Sequence, residues 1–351
     1  MAAELRDITI EEVDIRTIDD DDVVRLNTFD NLLRSETDPA DPPTSVSSTR
    51  RGVHNIPEFR IVRTFWAQDA DREIAASAST AYTDVPENRH LIGLQITVRE
   101  DRRRRGIARA LLGHLVDAAE DTGRRLADFG TSERVPAGEA FAQRLGAKPG
   151  IATHVNRLLL ADVDVAMVRR WASEGPDRAH GYSLVAIDGR YPDDLIAAIA
   201  DVHEVMNTAP RGDLDVVDQR ITPEFMRTWE ASMLAQDVER WSLFARHDAS
   251  GRLIGLSEVY YDPDEPRTVH QGDTGVHPDH RGHAIGKWMK AVMLERILRE
   301  RPEAKDVRTG NADSNEPMLA INNQLGFRPY RAMTWWQVPV ERIRAYVGSS
   351  V

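Results

Sequence analysis

The sequence predicts an α/β (α+β) chain made of two tandem domains, and three observations predict it. Strand-like and helix-like hydrophobic patterns follow one another in the same order twice. Matching residues recur at a nearly constant distance. Arg72-Glu73-Ile74 returns as Arg252-Leu253-Ile254 and Leu145-Gly146-Ala147 as Leu325-Gly326-Phe327, both 180 residues on, while Val98 and Ala108 return as Val276 and Gly286, 178 residues on. A chain of 351 residues is also long enough for about two domains with proper cores.

In the first half, residues 8–16 largely alternate apolar and polar side chains and predict a strand. The run Asp19-Asp20-Asp21-Asp22 precedes the helical pattern of 23–33, where carboxylates suit a helix N-terminus; the sharper alternative is an acidic binding patch. Residues 36–51, with Asp41-Pro42-Pro43 and several Ser, predict a loop. Strands are expected at 61–68, 73–82 and 90–98, followed by a basic turn at 99–105 and a helix from 106 to 122. A strand at 125–130, a short helix at 138–145 and a strand at 154–160 close this half. Residues 161–180 predict a connecting helix and loop, broken at Glu174-Gly175-Pro176. The pattern then restarts with a strand at 182–188, helices at 193–206 and 223–236, and strands at 240–247, 253–261 and 270–276. A turn, a helix at 285–299, a strand at 306–309, a helix at 317–325 and a strand at 332–339 complete it. The domains are accordingly drawn as 1–162 and 181–351, with 163–180 connecting them.

Composition narrows the function classes. Apolar content of 41% with 29% charged residues is that of a soluble globular protein. Residues 1–7 lack a basic n-region and an apolar run, so no signal peptide is expected. No stretch approaches the ~18 apolar residues of a membrane span. The absence of Cys excludes disulfides, thiolate catalysis and Cys-based metal sites, and fits a reducing, cytoplasmic setting. A formal net charge of −12 argues against general nucleic-acid or membrane binding and suits a cationic substrate.

The organising stretch is Val276-His277-Pro278-Asp279-His280-Arg281-Gly282-His283-Ala284-Ile285-Gly286-Lys287. A Gly-bearing turn that feeds a helix aims free backbone N–H groups at one point and so suits a phosphate. An ordinary strand-to-helix loop is the plain alternative. The first half repeats the turn as Arg103-Arg104-Arg105-Gly106-Ile107-Ala108 after Val98.

At these residues the chain resembles the GNAT superfamily of N-acetyltransferases, as a tandem duplication. The family pattern Arg/Gln-x-x-Gly-x-Gly/Ala fits Arg103 to Ala108, and fits Arg281 to Gly286 with Ala284 where the first Gly is usual. Asn315-Glu316-Pro317-Met318, leading into Leu325-Gly326-Phe327, matches a second feature of part of the family. The arrangement also resembles the two-domain actinobacterial group that includes mycothiol synthase. The resemblance implies a mixed, strongly bent sheet flanked by helices in each domain, split where the cofactor's pantetheine arm enters. It implies that acetyl-CoA, or another acyl-CoA, sets its pyrophosphate on Arg281, Gly282, His283, Ala284, Ile285, Gly286 and Lys287. Its amide arm would pair with Thr274, Gly275 and Val276. Asn311 and Asn315 would hold the pantetheine end, or serve turn chemistry alone. In the first half Val98, Arg103, Arg104, Gly106 and Ala108 would form the matching turn.

Acyl transfer needs a neutral amine and a proton acceptor. The resemblance points to Glu258, which interrupts the apolar strand Gly255-Leu256-Ser257-Glu258-Val259. Burial is expected to raise its pKa toward that of a useful base; the alternative is a solvent-facing edge residue. The first half has Ala78 there, so the second domain is expected to be catalytic and the first not. Family members often use a Tyr as general acid where this chain has Asn322, leaving water, Tyr260 or Tyr261 as substitutes. His277, His280 and His283 are read as loop polarity or phosphate contacts, and no metal site is expected. Asp213 and Asp215, in the polar loop 207–219, and Trp335 are candidates for the acceptor site; a solvated loop is the alternative for the two Asp. The expected activity is acetyl transfer from acetyl-CoA to the primary amine of a small molecule, by a monomer or homodimer. The rivals are a non-catalytic acyl-CoA-binding or partner-binding module and a protein or peptide N-acetyltransferase.

Overall fold

The computed structural model describes residues 7–349. Residues 1–6, on which the expectation of no leader chiefly rests, lie outside them. After the first strand, β1 (Thr9–Val13), helix α1 (Asp20–Thr37) opens where the Asp19 side chain accepts the Asp22 N–H, with Asp20, Asp21 and Asp22 in its first turn. The acidic run is thus a helix N-terminus, where carboxylates oppose the helix dipole. Helix α2 (Val46–His54) occupies part of the expected loop, because Ser45 caps the Ser48 N–H. The first repeat continues with β2 (Arg60–Gln68), β3 (Ile74–Thr83), β4 (Leu91–Val98), α3 (Ile107–Asp121), β5 (Leu126–Ser132), α4 (Pro136–Arg144) and β6 (Lys148–Leu159).

Helix α5 (Val165–Arg178) follows, and it runs through the expected break at Pro176. Pro176 lies in its last turn, so the one N–H bond it forgoes, to the carbonyl of Ala172, leaves the body of the helix intact. The second repeat comprises β7 (Tyr182–Asp188), α6 (Ile196–His203), α7 (Pro223–Ala235), β8 (Glu239–His247), β9 (Leu253–Tyr261), β10 (Thr268–Val276), α8 (Ile285–Glu300), β11 (Asp306–Ala312), α9 (Glu316–Leu325) and β12 (Arg328–Pro339). A last helix, α10 (Val340–Gly348), ends the described chain.

Two compact units form, and they cross the boundaries drawn from sequence. The first holds the chain up to Ala152, the segment Gly212–Val217 and everything from Ala332; the second holds Thr153–Arg211 and Asp218–Arg331. Strand pairing is the reason. In the first unit β1 to β5 pair in chain order, antiparallel except for β4 with β5, and residues 333–339 of β12 then pair antiparallel with β5. In the second unit β7 to β11 repeat this order, and residues 153–159 of β6 pair antiparallel with β11. Each repeat therefore contributes the last strand of the other repeat's sheet. The loop segment joins the first unit through its backbone N–H groups: Asp213 donates to the Gly150 carbonyl O, Asp215 to the side-chain Oε1 of Gln337 and Val217 to the side-chain Oδ1 of Asn88.

Both sheets are mixed and flanked by helices. In the second unit α8 buries Met289, Ala291, Leu294 and Ile297 on one face, while α6 and α7 cover Phe244 and Leu256 on the other with Ile199 and Met226. Burying such side chains contributes roughly 1.5–3 kcal/mol each. Helix α5 packs over α8 at Gly175, where an added Cβ would stand 2.1 Å from the Trp288 ring.

Candidate active site of the second unit

Backbone geometry forms the site first. Strands β10 and β11 pair only from Thr268 to His270 against Asp306 to Arg308. Beyond those pairs β10 stays with β9 and β11 with β6, so the two strands part and leave a slot. The register of β10 slips between Gln271 and Thr274, placing Gly272 and Asp273 in a bulge opposite Glu258. A bulge leaves backbone unpaired and re-aims a side chain. Gly at 272 leaves the Tyr260 ring its place, because a Cβ there would come 2.4 Å from Tyr260 Cε2 and displace it.

The slot leads to the turn. Gly282 (φ 85°) and Ala284 (φ 58°) are left-handed, and α8 begins with no side-chain cap on its first N–H groups. Those donors favour an anion. The left-handed Ala284 costs on the order of 1 kcal/mol relative to Gly, which marks the turn as constrained. Arg281 braces it: Nε donates to Val276 O at 2.9 Å and Nη2 to Thr208 Oγ1 at 2.6 Å. Lys287 donates to Gln324 Oε1 at 2.8 Å and lies over the Trp171 ring. His283 is exposed beside Tyr182, whose hydroxyl bonds His280 Nδ1 at 2.9 Å. Among the described residues no group of three His, Cys, Asp or Glu side chains is arranged to hold a metal.

Glu258 is fully buried, and its carboxylate is saturated. Tyr191 OH and Ser242 Oγ donate to Oε1, both at 2.5 Å, while Tyr260 OH (2.9 Å) and His203 Nε2 (3.3 Å) meet Oε2. His203 Nδ1 faces Ile199 O at 2.7 Å, so both ring nitrogens meet acceptors, an arrangement that favours the imidazolium form. Desolvation alone would raise the Glu258 pKa, but the bond and charge of His203, with the bonds from Ser242 and Tyr191, bring it down to about 2. The sequence expectation of a raised pKa is thereby reversed, because four donors outweigh burial. Desolvation likewise opposes the charge on His203, yet its bond to Glu258 raises the pKa.

Asp273 has the opposite character. It is half-buried, and no hydrogen bond or ion pair engages its carboxylate among the described residues. Its pKa is raised, first by desolvation and then by the charge of Glu258. Of the two tyrosines, Tyr260 belongs to this network, whereas Tyr261 donates to Glu303 at 2.6 Å and packs in the other core. Asn322, buried at 1% exposure, donates to Asn311 Oδ1 at 2.8 Å and leaves its own Oδ1 without a partner. Asn315 caps α9 by accepting the Met318 N–H.

The first unit has the turn and the slot without this chemistry. Strands β4 and β5 pair only from Leu91 to Gly93, and Arg104 (φ 63°) and Gly106 (φ 83°) repeat the left-handed positions, with Ala108 in the first turn of α3. Its β3–β4 ladder, however, runs without a shift from Ala76 to Ala81, so there is no bulge. Ala78 lies in an apolar cluster with Phe65, Ile107, Leu111 and Leu115. Most of the basic turn is internally engaged. Arg103 pairs with the Glu36 carboxylate at 2.5 and 2.6 Å and donates Nε to Val98 O, Arg102 pairs with Asp69, and only Arg104 has no partner among the described residues.

Of the acceptor candidates, Asp213, Asp215 and Trp335 belong to the first unit rather than to the unit of Glu258. Asp215 faces His90 at 3.4 Å, and Trp335 is 40% exposed beside Gly130. Sequence reading missed Tyr191, His203, Ser242, Gln271 and Asp273. Only Gly272, a glycine inside a strand, signalled a bulge there.

Comparison with known proteins follows the same outline. The model of the acetyltransferase (GNAT) family matches residues 28–147 and again 203–327. No curated protein matches the sequence. A tandem GNAT protein from the clavulanic acid biosynthesis pathway, solved without acetyl-CoA, superposes with a TM-score of 0.78 at 26% identity, covering 98% of this chain and all of its own. A GCN5-related N-acetyltransferase from Sphaerobacter thermophilus has a TM-score of 0.64 at 12% identity, covering 94% of this chain and 96% of its own. A GCN5-related glucosamine N-acetyltransferase region of a fungal multi-domain β-N-acetylglucosaminidase has a TM-score of 0.64 at 14% identity, covering 94% of this chain and 38% of its own. The last two likenesses concern the fold alone.

Proposed function

The chain belongs to the acetyltransferase (GNAT) family, and from that premise we propose that it is an acetyl-CoA-dependent N-acetyltransferase of small-molecule primary amines, with catalysis in the second unit. One observation carries the assignment to that unit. A strand slot leading to an uncapped helix N-terminus occurs in both units, but the bulge opposite a charged network occurs only in the second. The residues fit an acyl-CoA. Gly275 keeps the slot wall clear, since a Cβ there would meet Val205 Cγ1 at 2.7 Å, and the buried Asn322 Oδ1 lacks a donor.

When bound, acetyl-CoA supplies an acyl thioester with a thiolate leaving group. The first N–H groups of α8 receive its pyrophosphate, with Gly282 and Gly286 admitting a close approach. The unpaired edge of β10 at Thr274, Gly275 and Val276 aligns the amide arm. Arg281 holds the turn in shape. Glu258 acts as a positioning residue, orienting the hydroxyls of Tyr191, Ser242 and Tyr260 and keeping His203 charged. The rival reading, acyl-CoA binding without turnover, draws on Asn322 standing where related enzymes often have a Tyr.

One assay separates them. The chain has no Cys, so a thiol reagent reports only CoA released from acetyl-CoA. Release that depends on an added primary amine supports transfer. Tight acetyl-CoA binding with no release across an amine panel favours the rival.

A further inference from the structure

We propose that Asp273 is the catalytic base of the second unit, the carboxylate that receives the acceptor ammonium and takes its proton. The inference rests on the transferase reading above and adds the residue and the charge state of the substrate.

Position argues first. Asp273 stands in the β10 bulge, directly before the strand edge of Thr274, Gly275 and Val276 that borders the slot. Bulges beside active sites re-aim side chains in this way. Availability argues next. Glu258 has four donors on its carboxylate and is 0% exposed, whereas Asp273 is half-buried and has no partner among the described residues. Half-burial without a partner is unfavourable for a carboxylate unless something else compensates it. An arriving ammonium supplies the missing charge and donors. The neighbouring aromatic surface suits the same guest: Tyr260 lies against Gly272, and Trp229 meets the Tyr260 ring edge-on at 6.2 Å. Ring faces attract cations.

The electrostatics agree. The charges of Glu258, opposite the bulge, and of the His203 imidazolium act on Asp273, and the Tyr260 hydroxyl is the further titratable group coupled to it among the described residues. Desolvation and the Glu258 charge raise the Asp273 pKa, bringing it nearer to that of a working base. In the step itself, one ammonium proton passes to Asp273 Oδ, which removes both charges in a desolvated site. The freed nitrogen lone pair forms the N–C bond as the C–S bond breaks. A second nitrogen proton ends on the departing sulfur, and Asp273 returns its proton to solvent.

The test measures CoA thiol release with tyramine, cadaverine and glucosamine as probe amines, alongside acetyl-CoA affinity by calorimetry. For the wild type kcat/KM should be bell-shaped in pH, rising with Asp273 ionisation and falling with the amine's own deprotonation. Asp273→Asn should lower kcat by roughly 10²–10⁴-fold, remove the acid limb and leave acetyl-CoA affinity within about twofold. Asp273→Glu should restore part of the rate and the acid limb. An Asp273→Asn protein that keeps the wild-type kcat and acid limb would overturn the base assignment while leaving the transferase reading intact. A wild type that binds acetyl-CoA yet releases no CoA with any probe would overturn that reading and the base with it.

Discussion

Replacing Glu258 by Gln tests the buried network most sharply. The substitution keeps size and shape but removes the charge opposite His203, whose side chain is 6% exposed against 0% for Glu258. Two routes give the magnitude. Breaking one partner of a buried ion pair costs about 3–5 kcal/mol. Independently, holding the carboxyl at about 2 rather than 4.5 corresponds to on the order of 3 kcal/mol at neutral pH. The sign follows from the direction of each shift. The depressed Glu258 pKa contributes stability that is present above 4.5 and lost as pH falls toward 2. The raised His203 pKa contributes stability that is present below 6.5 and lost as pH rises through its folded value. The pair therefore stabilises most between 4.5 and 6.5, and its contribution fades above that as pH approaches the raised His203 pKa. For a unit of this size Glu258→Gln should lower Tm by about 6–12 °C and reduce the urea midpoint correspondingly. The gap to wild type should narrow below pH 4.5. A variant within about 1 kcal/mol of wild type at pH 6 would refute a buried, charged Glu258.

Three further expectations follow from packing and charge. Gly272→Ala would set a Cβ 2.4 Å from the Tyr260 ring; the ring must shift away from Glu258, and we expect a loss of about 1–3 kcal/mol in stability with a fall in kcat seen in the thiol assay. Arg103→Met leaves Glu36 without its bidentate partner, each side chain being 22% exposed. Solvent screening limits the cost to about 1–2 kcal/mol, read by urea unfolding, and amine-dependent CoA release should stay at the wild-type level. Asp273→Asn should abolish the acid limb of the pH profile, as described above.

Much of the fold was legible because it is local. The acidic residues before α1, the glycine-bearing turns and the doubled strand–helix order each follow from short-range chemistry, and the offset between repeats located both turns. The exchange of last strands was not legible, since the patterns of β6 and β12 are the same whichever sheet they join. Which edge a strand pairs with is a long-range choice that hydrophobic alternation does not encode. Glu258 was found through the family resemblance, supported by its polarity within an apolar strand, but its ionisation was read with the wrong sign. Burial is visible in one strand; the donors that overrule it come from residues 191, 203, 242 and 260, most of them distant in sequence. Asp273 was passed over because in an ordinary ladder it would be one more strand residue, and only the register slip gives it a distinct place. Arg103 and Arg281 were read as parts of a phosphate turn from their motif; in the structure each donates Nε within its own turn, to Val98 O and Val276 O, and its terminal nitrogens go to Glu36 and Thr208 respectively.

The assignment of catalysis to the second unit is tested most directly by placing one negative charge in the first turn of each matching helix. Gly286→Glu and Ala108→Glu both sit where a phosphate would approach α8 or α3, and a carboxylate at a helix N-terminus is compatible with folding. The measurement is amine-dependent release of CoA thiol. Gly286→Glu should lose it through repulsion of the cofactor, while Ala108→Glu should retain it. Loss in Ala108→Glu with retention in Gly286→Glu would contradict the account and move the reaction to the first unit.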